Sequence, residues 1–131
     1  MPATDPIADF LTRLRNASMV NKGIVTAPHS RVVLDLAKVL AKEGFIGEVD
    51  TRGSGIHKEI VVQMRYINEQ SAFENVERIS KPGRRVYCQA KNLRPVKSGF
   101  GVAVLSTPKG VLTDKEARSQ HVGGEIMCTI W

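Results

Sequence analysis

Residues 101–112 carry the side chains whose types and spacing best suit the binding of a polar partner. They read Gly-Val-Ala-Val-Leu-Ser-Thr-Pro-Lys-Gly-Val-Leu. The apolar run from Val102 to Leu105 predicts a strand buried on both faces. Two hydroxyls, a proline, a cation and a glycine follow at once: Ser106, Thr107, Pro108, Lys109 and Gly110. Because proline lacks an N–H and glycine permits a positive φ, the strand is expected to end in a tight turn. Such a turn presents hydroxyls and one charge without bulk, so it can approach a polar surface closely.

Basic charge is concentrated around this segment. Residues 78–113 contain no Asp or Glu and eight Lys or Arg, a local charge of +8, whereas the whole chain carries +6. Local positive charge of this kind is typical of a surface that binds a polyanion. The alternative is a solvated basic face that only keeps the protein soluble.

Catalytic and metal chemistry have little support in the sequence. The three histidines lie in separate segments without ligand spacing, and no glycine-rich stretch matches a phosphate-binding loop. Ser106 lacks the G-x-S-x-G elbow of an active serine. Cys88 and Cys128 lack a C-x-x-C spacing, which favours two buried thiols in a reducing compartment. We therefore predict no enzymatic activity, no cofactor, no metal site and no small-molecule substrate, with a small hydrolase using Ser106 as the rival hypothesis.

Length and composition limit the class of protein. A chain of 131 residues, 42% of them hydrophobic, is one ordinary domain or two small ones. No apolar run approaches the ~20 residues of a membrane-spanning helix, and acidic residues interrupt the N-terminus where a signal peptide would be apolar. These features predict a cytoplasmic protein without a membrane partner.

The first half of the chain predicts an α-β-α-β-β unit over residues 1–67. Asp5-Pro6 is typical of a helix start, and a second helix is expected from Ser30 to Gly44. Strands are expected at residues 24–27 and 56–66, and residues 45–49 are expected to lead into another strand. In the longer strand Ile60, Val62, Met64 and Tyr66 share one face. The polar residues 68–71 predict a subdomain boundary.

The second half, residues 73–131, predicts a mostly β unit with short helices. Residues 76–80 and 86–89 are expected to form a hairpin, with Pro82-Gly83 at the centre of a type II turn. Thr113 and Glu116 match a capping box, so a short helix should follow the central strand. The last strand is expected over residues 125–131, with Ile126, Cys128 and Ile130 on one side. The fold class is therefore α+β with two small subdomains.

The predicted topology suggests a binding surface in the second unit. Residues 106–110 and 122–125 flank the short helix, and they lie on one surface if the central and last strands are neighbours. Hydroxyls and backbone groups there suit recognition of 2′-hydroxyls and base edges, whereas the cations of the hairpin and Lys109 suit phosphates. RNA is favoured over DNA because no basic recognition helix is present. A DNA-binding or general RNA-binding regulator is the rival within this class.

Three further side chains allow two interpretations each. Glu125 either accepts hydrogen bonds from RNA or pairs with a nearby Lys or Arg. Tyr87 suits base stacking and burial about equally. Phe100 is more readily interpreted as a core residue than as a stacking platform, since large apolar side chains are mostly buried.

Several segments together resemble a known family, protein eight of the small ribosomal subunit, bacterial type. They are residues 101–112 with Ala117-Arg118, Asp5-Pro6-Ile7-Ala8-Asp9 with Thr12-Arg13 and Arg15-Asn16, Glu43-Gly44-Phe45-Ile46, Ser80-Lys81-Pro82-Gly83-Arg84-Arg85, and Gly123-Gly124-Glu125-Ile126. They occur in the order of that family and cover essentially the whole chain. Cys88-Gln89-Ala90 departs from it, because a more basic run is expected there.

The resemblance implies a structural constituent of the small ribosomal subunit that binds the central domain of 16S rRNA and is needed for assembly of the subunit. It implies 16S rRNA and neighbouring small-subunit proteins as partners, and a location in the ribosome, in the cytoplasm or in an equivalent organelle matrix. The main RNA contacts would be in the second unit. Combined with the basic hairpin, the expected RNA-binding residues are Ser106, Thr107, Lys109, Gly110, Gly124, Glu125, Tyr87, Arg85, Arg84 and Lys81.

Overall fold

A computed structural model describes residues 5–131 and divides the chain into two compact units. One unit comprises Pro6–Phe73, and the other comprises Glu74–Trp131 together with Asp5. Both units combine helices with antiparallel sheets, so the predicted α+β class with two subdomains is confirmed. In the described part of the chain, no helix is long and apolar enough to cross a membrane.

The N-terminal unit packs two helices with a three-stranded antiparallel sheet of order β1-β3-β2. Its elements are α1 (Pro6–Met19), β1 (Ile24–Pro28), α2 (Arg31–Lys42), β2 (Val49–Arg52), β3 (Glu59–Gln63), β4 (Tyr66–Ile67) and β5 (Gln70–Ser71). Each helix buries one stripe of side chains spaced three or four residues apart, such as Phe10 and Leu14 in α1 and Leu36 and Leu40 in α2. The predicted helices are confirmed.

Two turns in this unit follow from local backbone chemistry. Gly44, at φ +87°, ends α2, and the Phe45 amide donates to the Leu40 carbonyl at 3.0 Å. The polar residues 68–71 form the turn and second strand of the β4–β5 hairpin, with both Asn68 and Glu69 at positive φ. The chain enters the second unit three residues after Ser71, at Glu74.

The C-terminal unit is built on a five-stranded antiparallel sheet and one α-helix. Its elements are β6 (Val76–Arg78), β7 (Tyr87–Cys88), β8 (Val102–Thr107), β9 (Gly110–Thr113), α3 (Asp114–Gln120) and β10 (Gly124–Ile130). All four residues of the run Val102 to Leu105 are buried, as the apolar sequence predicts. The capping box is confirmed: the Thr113 hydroxyl accepts from the Glu116 amide at 3.2 Å, and the Glu116 carboxylate accepts from the Thr113 amide at 3.1 Å.

The predicted β6–β7 hairpin is wrong. Both strands pair antiparallel with β10, along the edge opposite β8, so they form one interrupted edge strand. The interruption is held at Ile126, whose carbonyl accepts from the Ser80 amide and whose amide donates to the Val86 carbonyl, both at 3.0 Å. Residues 81–85 project between these two points, and we call them the basic loop. Local turn residues predicted a hairpin, but pairing with the distant β10 decides the course of the backbone.

The turn within the basic loop also differs from its predicted type. Lys81 and Arg84 exchange backbone hydrogen bonds of 3.0 and 2.9 Å, so the turn is present where the sequence predicts it. Gly83 is not among the glycines at positive φ, which a type II turn requires at this position. A proline at the preceding position is compatible with either type, so it could not decide between them.

A β-bulge in β10 changes which side chains share a face. The register shifts between Ile126, opposite Leu105, and Cys128, opposite Val104. Because neighbouring residues of β8 point to opposite faces, Ile126 and Cys128 do so as well, and their predicted shared face is wrong. Ile126 packs against a cluster that includes Leu105 and Ala117 of α3. Cys128 therefore lies on the face opposite α3.

The start of β10 fits between its neighbours only because it begins with glycines. A Cβ on Gly123 would lie 2.4 Å from the Cys88 carbonyl oxygen, and a Cβ on Gly124 would lie 2.2 Å from the Ser106 carbonyl oxygen. Real Cβ atoms do not approach backbone oxygens so closely. The Gly-Gly pair is thus required by close strand approach on both edges of β10.

We expect Gly124→Ala to destabilise the protein, because the new methyl group meets rigid backbone and one of the two strands must move. Overpacking of this kind typically costs about 1–3 kcal/mol, to be measured as a fall in the free energy of unfolding in urea. Gly83→Ala is the matched control, since nothing lies within 4 Å of a Cβ there and its φ is not positive. Equal stability of the two variants would contradict the close approach.

Candidate nucleic-acid interface

The register of the sheet brings three predicted site residues into one row. Glu125 of β10 lies opposite Tyr87 of β7 on one edge and opposite Ser106 of β8 on the other. Partners in antiparallel strands point to the same face, so the three side chains lie side by side on the face opposite α3. We call Tyr87, Glu125 and Ser106 the polar row.

The carboxylate of Glu125 is held by the base of the basic loop. The Ser80 hydroxyl donates a hydrogen bond to Glu125 Oε2 and accepts from the Val86 amide at 3.2 Å, and Arg85 Nη1 donates to the same Oε2 at 3.1 Å. The Ser80 hydrogen bond is the main cause that holds the pKa of Glu125 below its ordinary value, with the hydrogen bond and charge of Arg85 adding to it against partial burial. Of the two sequence hypotheses for Glu125, pairing with an arginine is therefore observed.

Ser80 is a site-building residue that the sequence hypotheses missed. It is completely buried, and its hydroxyl donates to Glu125 and accepts from Val86. Its position immediately before the basic loop was visible in the sequence. Its partner Glu125, 45 residues away, was not, because that contact depends on the strand register.

The Thr107 side chain closes the turn between β8 and β9. The Thr107 hydroxyl donates to the Gly110 carbonyl at 2.8 Å and accepts from the Lys109 amide at 3.1 Å. Gly110 has φ +105°, which explains the glycine. One acceptor position of the hydroxyl is left for a ligand. Ser106 differs, since no side-chain hydrogen bond joins its hydroxyl to any other described residue.

The cations of residues 78–113, which we call the basic window, divide into paired and unpaired groups. Arg78 forms a nearly buried ion pair with Asp5 at 3.0 Å and also donates to the Met127 carbonyl, so it serves the structure of the unit. Arg85 pairs with Glu125. The exposed side chains of Lys81, Arg84 and Lys109 form no ion pair with any residue from 5 to 131. These three cations are therefore available to anionic groups.

The two aromatic side chains of the basic window are both exposed. Tyr87 is 70% exposed, and its ring stands at the outer end of the polar row, beside an open groove lined by Gln89, His121 and Gly124. Phe100 is 87% exposed, so its expected place in the core is wrong. It lies before the first residue of β8, whereas the polar row lies near the last residue of that strand.

This arrangement has the chemistry of a binding surface. A hydroxyl, an aromatic ring and a fixed carboxylate lie in a row, with unpaired cations on the two turns beside it. Among the described residues, no base hydrogen-bonds to the Ser106 hydroxyl, as a serine nucleophile would require. Two of the predicted site residues also have structural roles. Gly124 permits the close approach of the strands, and the Thr107 hydroxyl helps to close its turn.

We expect Ser80→Ala to raise the pKa of Glu125 toward its ordinary value, because the main hydrogen bond to the carboxylate is lost. A lowered folded-state pKa stabilises the protein above the unfolded-state value, and this contribution disappears as the pH falls through the folded-state value. The stability gap between wild type and variant should therefore be larger at neutral pH than in acid below both values.

Carboxyl ¹³C NMR titration of Glu125 and urea denaturation at both pH values measure these effects. Ser54→Ala is the control, since Ser54 is exposed and makes no side-chain cap hydrogen bond. An unchanged Glu125 pKa in Ser80→Ala would show that this hydrogen bond does not set it.

Comparison with known proteins agrees with the resemblance seen in the sequence. The family model described as Ribosomal protein S8 matches residues 5–131. The relative "Small ribosomal subunit protein uS8" of Mycoplasmopsis pulmonis is 47% identical over 128 residues, covering 98% of this chain and 97% of the relative. Proteins of the same name from Nocardia farcinica and Synechococcus elongatus are 46% and 42% identical, each over the full length of both chains.

Both the extent and the identity of these matches are sufficient to assign the family. The matched region contains the polar row, the basic loop and the β8–β9 turn. The family match gives no support to the rival hypothesis that Ser106 is the nucleophile of a small hydrolase. The chain belongs to the ribosomal protein S8 family, a family of structural, non-enzymatic ribosomal proteins.

Proposed function

We propose that this chain is a constituent of the small ribosomal subunit in the cytoplasm, that it binds the central domain of 16S rRNA directly, and that this binding is needed for assembly. Its partners would be 16S rRNA and neighbouring small-subunit proteins. The observation that carries the proposal is the convergence of three distant segments, residues 81–88, 106–110 and 124–125, at the start of β10. The relatives' names support the ribosomal part of it.

The three segments suit two different kinds of contact with the RNA. The unpaired cations Lys81, Arg84 and Lys109 are suited to phosphates, which supply affinity without sequence information. Ser106 and the remaining acceptor of Thr107 are suited to 2′-hydroxyls and base edges, and Tyr87 to stacking on a base. Arg85 is held near the row by Glu125, so it can meet a phosphate in one defined position.

RNA fits this surface better than duplex DNA. Within residues 74–131 the α-helix is α3, with seven residues, and its Arg118 is paired with Asp114. This helix therefore offers little to a DNA major groove. The polar row instead presents a hydroxyl, a carboxylate and an aromatic ring, which suit the 2′-hydroxyls and base edges that the minor groove of A-form RNA displays.

The primary test compares the purified chain on a 16S central-domain fragment and on a scrambled RNA of equal length, at two salt concentrations. A preference for the fragment that survives the higher salt is expected, because hydrogen bonds to edges and hydroxyls do not depend on counterion release. Equal binding to both RNAs, lost together as salt rises, would favour a general RNA-binding regulator.

We expect Ser106→Ala to weaken binding to the central-domain fragment about 2- to 10-fold, the usual effect of one lost hydrogen bond. Binding to the scrambled RNA and the thermal midpoint should not change, since the hydroxyl has no described protein partner. Ser119→Ala, at an exposed position of α3, serves as the control. An equal loss on both RNAs would show that Ser106 does not contribute to specificity.

Arg84→Gln should lower affinity for both RNAs and reduce the slope of log K against log salt by ~0.7–0.9, the value for one phosphate contact. Arg52→Gln removes the same charge from an exposed arginine of the N-terminal unit that is paired with Glu59, so it controls for net charge. The measurement is a salt titration of binding for each variant. A slope unchanged in Arg84→Gln would remove the basic loop from the interface.

A further inference from the structure

A second exposed aromatic in the C-terminal unit is not used by the polar row. Phe100 is 87% exposed, although a phenylalanine without a partner is normally buried. It lies in the loop from Val96 to Gly101, which leads into β8. The sequence favoured burial, so its exposure calls for an explanation.

The backbone of this loop holds Phe100 outward rather than leaving it loose. The Val96 carbonyl accepts from the amides of Gly99 and Gly101 at 2.9 and 3.0 Å, and the Lys97 carbonyl accepts from the Phe100 amide at 3.1 Å. Lys97, Ser98 and Gly99 all have positive φ, which is costly for the first two. The chain thus adopts an unfavourable conformation in a hydrogen-bonded loop that presents an aromatic ring to solvent.

The base of the loop is anchored to the end of β10. A Cβ on Gly101 would lie 2.6 Å from the Ile130 carbonyl oxygen and 2.8 Å from the Trp131 Cβ, so only glycine permits this approach. The Lys97 ammonium lies 4.7 Å from the centroid of the Trp131 ring. Lys97 is thereby directed to Trp131, and Phe100 stays uncovered.

The charge of the surrounding segment indicates the kind of partner. Phe100 lies within residues 78–113, which contain no carboxylate, and exposed Lys91 and Arg94 precede its loop. Neither cation has a described ion-pair partner. An exposed aromatic ring in a segment that carries unpaired cations and no carboxylate of its own suits unpaired nucleotides, where the ring stacks on the base and the cations meet the phosphates.

We propose that Phe100 is a second RNA contact of this protein, a stacking platform for one unpaired base of the rRNA. The inference rests on the proposed rRNA binding but concerns a different nucleotide. Val102, two residues after Phe100, and Ser106 are separated by four residues of an extended strand, roughly 13 Å. Phe100 precedes the first residue of β8 and Ser106 lies near its last, so we expect the two side chains to meet different groups of the RNA.

The test measures binding of the full chain to full-length 16S rRNA, with a scrambled RNA as reference. Phe100→Ala and Phe100→Leu should each lower affinity about 10-fold, within the range of one lost stacking contact, whereas Phe100→Tyr should bind within about 2-fold of wild type. Ile56→Ala is the matched control, since Ile56 is 95% exposed and lies in the N-terminal unit. Chemical probing should show one unpaired nucleotide losing protection in Phe100→Ala, while the nucleotides affected by Ser106→Ala stay protected.

Three outcomes would overturn the inference. Wild-type affinity of Phe100→Ala would exclude an RNA contact there. Full recovery in Phe100→Leu would indicate an apolar contact without stacking. Normal rRNA affinity combined with poor incorporation into subunits would indicate a protein neighbour on Phe100. In each of these cases the Ser106→Ala result can still support the proposed function. No preference of the wild-type chain for 16S rRNA over scrambled RNA would instead overturn both proposals.

Discussion

The C-terminal unit depends on the close packing of three backbones at the start of β10. At Gly123 and Gly124 the strand approaches the carbonyls of both neighbours so closely that no side chain fits. This approach places Tyr87, Glu125 and Ser106 at neighbouring positions in one row. A slip of one residue would turn Glu125 toward the α3 face and separate it from Ser106, because side chains alternate between the faces.

This packing also determines which charged side chains around the polar row are paired. The interrupted edge strand leaves Ser80 buried at the foot of the basic loop, where its hydroxyl binds Glu125. The carboxylate in turn holds Arg85. An acidic group in a basic surface thus fixes one cation, while Arg84 on the same loop stays unpaired. A surface whose polar groups are already positioned loses less conformational entropy when it binds a partner.

The residues that match the family therefore serve two distinct physical purposes. Gly124 and the Thr107 hydroxyl maintain the geometry of the backbone, one by allowing strand approach and the other by closing the turn. The side chains of Ser106 and Lys109 take no part in these contacts, and neither side chain forms a hydrogen bond or ion pair with another described residue. If the proposed RNA binding holds, a change at Gly124 is expected to act on it through the structure, whereas a change at Ser106 tests recognition itself. Similar binding defects at these positions would have different causes, which stability measurements can separate.

The sequence by itself determined the features that depend on neighbours along the chain. Local spacing and composition predict the helical stripes, the capping box at Thr113, the buried strand after Gly101 and the basic window. The resemblance to a known family then indicated which residues form a candidate site. Tertiary structure decided the features that depend on pairing between distant segments. These are the course of residues 76–88 along β10, the bulge that separates the faces of Ile126 and Cys128, and the exposure of Phe100. Periodicity cannot supply them. The first two are set by how distant backbones pair with β10, and the third by hydrogen bonds within the loop from Val96 to Gly101 and by the close approach of Gly101 to the end of β10.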